Sequence, residues 1–490
     1  NERIRNTVDL KLALEDLSRS LASPGRSLSF ASIAVLPFVN MNRDEGSEFL
    51  ADGITEDIIN TLMRVEGLRV AARSSVFQFK GRSPKVQEVG HELNVDSVLE
   101  GTVRRAGDRL RVTAELIKVA DGFQVWSERY DRVIEDIFDI QDDISRAIVE
   151  KLKVKLASSA GVLTVRRHTA DPATYNAYLR GRYHWNKRTV QSYRKAVDHF
   201  QEAVERDPEF PLPHVGLADC LLLSAYYGGV SGAAIVDRAE RLITHALELD
   251  ESSPEAHASL GFLQSYFFYD WRRAEAAYRR AIELGPLYAP VHLWLACTSL
   301  GMQGRLDEAG REVERAIELD PALPTYYGGA MQLALWRGQF DLVQAIARKT
   351  LELDADAVYP LCVLIQALAE TGQHEEAIAT ASHAMHLLPP GSFYGPGQLG
   401  YCCARCGREE DARRTLADLE GLRAKSYAQA AALAAVCTGL GEKERALDWL
   451  DRAYEERCGY LSFVRYDPVW DSLRDEPRYH TLVRKMNLSS

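Results

Sequence analysis

The sequence predicts a multidomain chain: a small α+β domain with a mixed sheet and covering helices, followed by an all-α solenoid of helical hairpins. Three observations predict it. A short word recurs at nearly fixed pitch, in Gly304-Arg-Leu-Asp-Glu-Ala309, Gly372-Gln-His-Glu-Glu-Ala377, Gly407-Arg-Glu-Glu-Asp-Ala412 and Gly441-Glu-Lys-Glu-Arg-Ala446, with Gly338-Gln-Phe-Asp-Leu-Val343 as a looser copy; the glycines step by 34, 34, 35 and 34 residues. Ahead of them, from Ile33 to Leu156, apolar residues switch between the period of a strand and that of a helix. Between the two lies Arg166-Arg-His-Thr-Ala-Asp-Pro172, a polar joint whose proline suits the first position of a helix.

In chain order, residues 1–29 read as a helix and a linker. Leu10, Leu14 and Leu17 share one face, and Ser23-Pro-Gly-Arg-Ser27 has linker composition. The helical pattern is already running near Asn1, which predicts further residues upstream, with any signal peptide or anchor among them. The words Asn1-Glu-Arg-Ile-Arg5 and Asp9-Leu-Lys-Leu-Ala-Leu-Glu-Asp-Leu17 resemble the last helix of a bacterial serine/threonine kinase carboxy-terminal lobe; no catalytic kinase motif accompanies them.

Residues 30–158 carry the α+β pattern. Ile33-Ala-Val-Leu-Pro-Phe38 is a short apolar strand ended by its proline. A helix follows, capped by Asp52 or Thr55, with Ile54, Ile58, Ile59, Leu62 and Met63 as its buried stripe. Leu68 to Ala72 is a second strand, and Val86, Val89 and Leu93 mark a short helix ending at Asn94. Val98–Arg105, Leu110–Val119 and Phe123–Tyr130 alternate with period two and are separated by the hairpin signals Gly107-Asp108 and Asp121-Gly122, so a three-strand meander is expected. Apolar residues at 137, 140, 144, 148, 152 and 156 give the closing helix. Ile33-Ala-Val-Leu-Pro-Phe38, Leu50-Ala-Asp-Gly-Ile-Thr-Glu-Asp-Ile58, Val70-Ala-Ala-Arg-Ser-Ser75, Leu99-Glu-Gly-Thr-Val103 and Trp126-Ser-Glu-Arg-Tyr-Asp131 resemble the TolB amino-terminal domain and FlgO-type modules. That resemblance implies a recognition or assembly domain, of a kind found in bacterial proteins behind a kinase, nucleotide cyclase or winged-helix output domain.

Residues 159–172 are the joint, and 173–458 about eight hairpins. Their anchors are Ala196, Ala239, Ala274, Ala309, Val343, Ala377, Ala412 and Ala446, spaced by 43, 35, 35, 34, 34, 35 and 34. A hairpin of this length cannot bury its apolar face alone, so stacking on neighbours is required. Ala274, Tyr278, Ala281 and Pro286, and again Ala196, Phe200, Ala203 and Pro208, resemble the small, aromatic, small, proline pattern of the tetratricopeptide repeat. The spacing of 43 locates an insertion at Tyr226-Tyr-Gly-Gly-Val-Ser-Gly232, expected as a surface loop. Residues 459–490 read as a segment capping the open end of the stack.

Composition excludes some classes. With 59 Lys and Arg against 70 Asp and Glu, the net charge is -11, so bulk charge offers no nucleic-acid footprint. No apolar run is long enough to span a bilayer. Eight cysteines at 220, 297, 362, 402, 403, 406, 437 and 458 show no disulfide-framework spacing and suit a reduced, cytoplasmic compartment. Gly395-Pro-Gly-Gln-Leu-Gly400 matches the dinucleotide word but no strand precedes it. Cys403-Ala-Arg-Cys406 lacks a second ligand pair for zinc, and His374-Glu-Glu-Ala-Ile378 lacks the second histidine of a zincin. The expectation is therefore a non-enzymatic protein with no cofactor and no metal.

A hairpin array offers a concave groove lined by the first helix of each pair. Tyr178, Trp185, Tyr266, Trp294, Gln332, Tyr359, Gln366, Tyr394 and Tyr401 are the residues expected to face it. Aromatic rings give contact area at low entropy cost and amides pair with an extended backbone, so the expected partner is a peptide or protein, bound by a scaffold or sensor. Homo-oligomerisation stays open. The alternative is the regulatory region of a kinase or cyclase whose catalytic domain precedes Asn1.

Overall fold

The structure, a computed structural model, describes residues 31–42, 45–63, 65, 67–133, 137–152, 169, 171–187, 190–321 and 323–488. The expected helix and linker at 1–29 lie outside them. The chain divides into two compact units, Asn1–Val165 and Arg166–Ser490.

The first unit is a mixed sheet ordered β3-β1-β4-β5-β6, with β2 also on β4. Here β1 is Ala31–Val35, β2 Val39–Asn40, β3 Leu68–Val70, β4 Ser97–Ala106, β5 Arg109–Lys118 and β6 Gln124–Val133. The short strand β1 runs parallel to β3 and β4, and β4, β5 and β6 form an antiparallel meander. Gly107 and Gly122 turn its two corners with φ of 66° and 72°, a region that favours glycine. Leu110, Val112, Ala114 and Leu116 alternate inward along β5 while Arg109 and Arg111 face solvent. Helix α1, Glu45–Leu62, and helix α4, Ile137–Lys151, bury Ile54, Ile58, Ile140, Ile144 and Ile148 against this apolar side. Two short helices, α2 (Arg73–Phe77) and α3 (Val86–Leu93), complete the unit; Asn94 ends α3 in the left-handed conformation.

Asp52 and Thr55 are not helix caps, because α1 begins well before them. Both sit inside the helix and tie it to its surroundings. The Thr55 hydroxyl donates to the Ala51 carbonyl at 2.8 Å and accepts the Phe38 N–H at 3.0 Å, while Asp52 pairs with the Lys80 ammonium at 2.6 Å. Burial raises the Asp52 carboxyl against the opposing pull of Lys80.

The second unit is a run of helical pairs: α5 Pro172–Asn186 with α6 Val190–Arg206, α7 Pro211–Tyr226 with α8 Gly232–Leu249, and α9 Pro254–Tyr266 with α10 Trp271–Leu284. Next come α11 Ala289–Leu295, prolonged by a π-turn at Ala296–Leu300, with α12 Leu306–Leu319, then α13 Pro324–Trp336 with α14 Phe340–Leu353, and α15 Val358–Glu370 with α16 His374–Met385. A π-turn at Phe393–Gly397 leads into α17 Gln398–Arg405, paired with α18 Glu409–Lys425, and α19 Ala430–Gly439 pairs with α20 Lys443–Glu455.

The recurring glycines sit at the corners because the chain reverses there through a left-handed residue. Gly304, Gly338, Gly372, Gly407 and Gly441 have φ between 70° and 81°. At each, the next residue donates back to a carbonyl of the helix just ended, as from Gln339 N to Ala334 O and Arg408 N to Cys403 O, both at 2.9 Å. The anchor alanines, and Val343 in their place, have no exposed surface. Inside a hairpin a glycine meets a ring: a Cβ on Gly261 would lie 2.5 Å from Tyr278, and one on Gly181 2.5 Å from Phe200.

Gly261→Ala is expected to destabilise the helical unit by about 1 to 3 kcal/mol, since the fully buried Tyr278 ring has to shift to admit the methyl group. Urea unfolding followed by tryptophan fluorescence measures it, and an unchanged midpoint would show that the Tyr278 ring yields freely.

Candidate functional site

The first helices of several hairpins share one side, and that side is filled. The segment after α20 folds back into it as two 3-10 turns, Gly459–Phe463 and Pro468–Leu473, followed by α21, Pro477–Lys485. Tyr460, Leu461, Phe463, Trp470 and Leu473 are all fully buried there. The expected cap on the open end of the stack is only part of its role: α21 lies on α20 of the last hairpin, with Arg478 against Glu444, Asp448 and Asp451, while the turns before it lie against α7, α9, α15 and α19, the inner helices of four different hairpins. An inner face with so many aromatic and alanine side chains is too apolar to leave wet, and the chain supplies its own cover.

The cover is held by polar contacts as well as by rings. Phe393 stacks on Tyr460 with centroids 3.4 Å apart, and Tyr266 meets Phe463 edge-on at 5.9 Å. Asp467 is completely buried; it accepts the Gln366 amide at 2.8 Å, the Val469 N–H at 3.0 Å and the Tyr460 hydroxyl. Burial pushes its carboxyl up to about 6, opposed by those three donors. Glu370, whose carboxyl burial also raises, adds to the shift.

The insertion at 226–232 helps to close the array. The Tyr226 hydroxyl meets that of Tyr394 at 2.7 Å, and the Gln429 amide donates to the carbonyls of Ala225 and Tyr226 at 3.3 and 3.1 Å. Ala233 N donates to Glu456 O at 2.9 Å, and a Cβ on Gly232 would lie 2.1 Å from the Arg457 carbonyl, so glycine permits this approach. The Tyr269 hydroxyl reaches Cys458 O at 3.0 Å and the Trp271 indole reaches Met486 O at 2.8 Å. Hairpins two and three thus touch hairpins seven and eight, and the expected free surface loop is an internal seam.

Of the nine residues expected to line a groove, seven are buried and Trp294 and Tyr359 half-buried. Tyr266, Gln366 and Tyr394 are brought together on the folded-back segment. Tyr178 packs between Phe200 and Phe210, Trp185 lies 5.0 Å from the Arg182 guanidinium, and Trp294 packs on Phe262 at 5.3 Å. Tyr359 packs over Gly328, and Tyr401 donates to Glu370 at 3.1 Å. Gln332 is buried, and its amide nitrogen has no hydrogen-bond partner among the described residues. The nine therefore do not form one open surface, because the inward direction read from their spacing is the direction of the core.

A cleft of about 450 Å³ lies beside the fifth hairpin, lined by Leu335, Trp336, Phe340, Tyr466, Tyr479 and Val483, with Arg465 and Arg474 among its walls. Trp336 packs on Phe463 and Tyr466 at 5.7 and 5.9 Å, and its indole N–H finds no acceptor among the described residues. Sequence spacing missed Trp336 because it ends its helix, one turn beyond the positions counted. Among the described residues no group of His, Cys, Asp or Glu is placed to hold a metal ion. Burial raises the Cys403 thiol and pushes Cys402 and Cys437 up to about 12, which disfavours a thiolate there.

The family model that matches is that of the HilA/YgeH-like transcriptional regulator, second domain, over residues 29–147. A putative adenylate cyclase 3 of Rhizobium meliloti is 39% identical over 237 residues, 48% of this chain and 40% of that protein. The transcriptional regulator HilA of Salmonella typhimurium is 27% identical over 144 residues, 29% of this chain and 26% of HilA. The chain therefore spans less than half the length of either relative. Among solved structures, a thermophilic TPR protein of Thermus thermophilus overlaps 40% of this chain and 99% of its own at 20% identity and a TM-score of 0.34. YrrB, described as a TPR protein with an unusual peptide-binding site, overlaps 37% of this chain and 92% of its own at 18% identity and a TM-score of 0.26.

Proposed function

We propose that this chain is the non-catalytic interaction and regulatory region of a bacterial signalling protein, a TolB-like sheet unit followed by a tetratricopeptide-type array that docks a peptide or protein partner. The observation that carries the reading is the cleft beside Trp336, next to the segment that folds back on the inner helices. Its aromatic walls suit an apolar anchor residue, and Arg465 and Arg474 suit an acidic flank. The two relatives support it from another direction: one is named for a cyclase and the other for transcriptional regulation, so a region similar to both fits an accessory role better than either activity. The lack of a disulfide-framework spacing among the eight cysteines supports a cytoplasmic compartment.

A second reading, favoured by the 39% identity to the putative cyclase, makes the chain the regulatory part of a protein whose output domain precedes Asn1. The reading frame upstream of Asn1 tests it: a nucleotide cyclase or kinase catalytic domain supports this reading, and a start codon directly before Asn1 sinks it.

Docking in the cleft is tested with a fluorescent peptide panel carrying an aromatic anchor flanked by Asp or Glu. Phe340→Ala combined with Tyr466→Ala, both half-buried, should weaken binding at least about tenfold while the far-UV spectrum stays unchanged. Equal affinity in the folded double variant removes the cleft from the proposal.

The buried carboxyl gives a pH signature of the folded-back segment. A carboxyl whose folded value stands near 6, above its unfolded value of 3.8, keeps its proton better in the folded state. Its contribution is then greatest below the unfolded value, declines as pH rises to about 6 and is constant above, a loss on the order of 2 to 3 kcal/mol. The groups facing it are Gln366, Glu370, Tyr401, Tyr460 and Tyr479. Asp467→Asn cannot titrate, so the stability of the native chain relative to this variant should fall between pH 4 and pH 7. Urea unfolding at the two pH values reads it, and a difference independent of pH would contradict the assignment.

A further inference from the structure

We propose that two copies of this chain pair through β6 of the sheet unit, antiparallel, about a two-fold axis at Tyr130. Among the described residues β6 pairs only with β5, and none of them places a strand on its far edge. Such an edge is a template for another strand unless lysine, proline or repelling charge blunts it. The strand Gln124-Val-Trp-Ser-Glu-Arg-Tyr-Asp-Arg-Val133 has neither lysine nor proline, and every side chain in it except Tyr130 is exposed or half-exposed.

The order of its charges selects both the partner and the register. Glu128-Arg-Tyr-Asp-Arg132 reads with opposite signs from either end. In an antiparallel pair centred on Tyr130, Arg129 faces Asp131 of the second copy and Glu128 faces Arg132, each twice by symmetry. Alternate residues of a strand point to opposite faces, so one set of ion pairs forms on each side of the sheet. Moving the centre to Arg129 sets arginine against arginine, and moving it to Asp131 sets aspartate against aspartate. A half-step one way opposes Glu128 to Asp131, and the other way Arg129 to Arg132. The charges that would protect this edge from unlike strands therefore make it complementary to itself in one register.

The pairing groups have neighbours of their own, and Glu128 accepts the Tyr130 hydroxyl at 3.2 Å, which leaves its other oxygen for an arginine. Arg111 and Arg129 lie 2.6 and 3.2 Å from Asp131 on one face, and Arg132 lies 4.0 Å from Asp143 on α4. These contacts are solvent-exposed, and a third arginine, that of the second copy, can join Asp131 beside Arg111 and Arg129. The exposed Val125 and Val133 on the same strand add apolar surface to the seam.

Sedimentation velocity on the full chain from 1 to 100 µM should show a reversible dimer. Arg132→Glu sets glutamate against Glu128 twice and should raise the dimer dissociation constant about tenfold or more. Adding Glu128→Arg to it restores opposite charges and should bring the constant back to within a few-fold of the native value. If Arg132→Glu alone fails to fold, the double variant decides: a dimer supports the register, a folded monomer overturns it. A native chain that stays monomeric at 100 µM, or a dimer equally stable in folded Arg132→Glu, also overturns the proposal.

Discussion

The helical unit depends on one constraint: a stack of hairpins leaves the inner face of every first helix without cover, and something apolar must fill it. Here the filling is covalently attached. The rings of Tyr460, Phe463 and Trp470 enter from the chain's own end and meet Phe393, Tyr266 and Trp336, which belong to hairpins far apart in sequence. Tethering avoids the translational entropy that a separate ligand would lose on binding the same face. The buried Asp467 then ties the insert to α15, since it accepts from the Gln366 amide as well as from Tyr460 and Val469 of the insert itself.

This closure changes the mechanics of a repeat array. In an open solenoid each hairpin touches only its neighbours, so stability is close to a sum of local terms and the ends fray. The contacts from Tyr226 to Tyr394, Ala233 to Glu456 and Trp271 to Met486 bind early hairpins to late ones. Hairpins two and three are therefore coupled to the late part of the unit, which opposes stepwise fraying there, and the long separation of these contacts makes folding slower than that of a simple helical stack.

The sequence showed the periodic parts because they repeat a local rule. A glycine reaches left-handed φ at no steric cost and an alanine fits where two helices cross closely, and both requirements return every 34 or 35 residues. The mixed sheet was legible for a similar reason, since the period-two alternation on β5 depends only on which face is buried. The early start of α1 was not, because Asp52 and Thr55 carry cap chemistry but use it on Lys80 and the Phe38 backbone. The filled concave face was also illegible. A tyrosine directed inward by helical spacing reads the same whether a partner or the chain's own residue 460 waits there. Only contacts between residues about a hundred positions apart, such as Gln366 with Asp467, distinguish the two.

The two units thus meet the same physical demand in opposite ways. The helical unit hides its apolar inner face and its spare backbone within a closed set of hairpins. The sheet unit covers one face with α1 and α4 but has a meander whose last strand, among the described residues, is flanked on one side only. A sheet edge carries main-chain donors and acceptors that repeat along the strand whatever the side chains are, so its specificity must come from the side chains that flank them. On β6 those side chains alternate in sign about Tyr130, which opposes most strands that slide along the edge and favours one that reads the same charges backwards. Selectivity of this kind needs no pocket and leaves no trace in hydrophobic periodicity. It is visible only when the order of charges is read together with the position of the strand in the sheet.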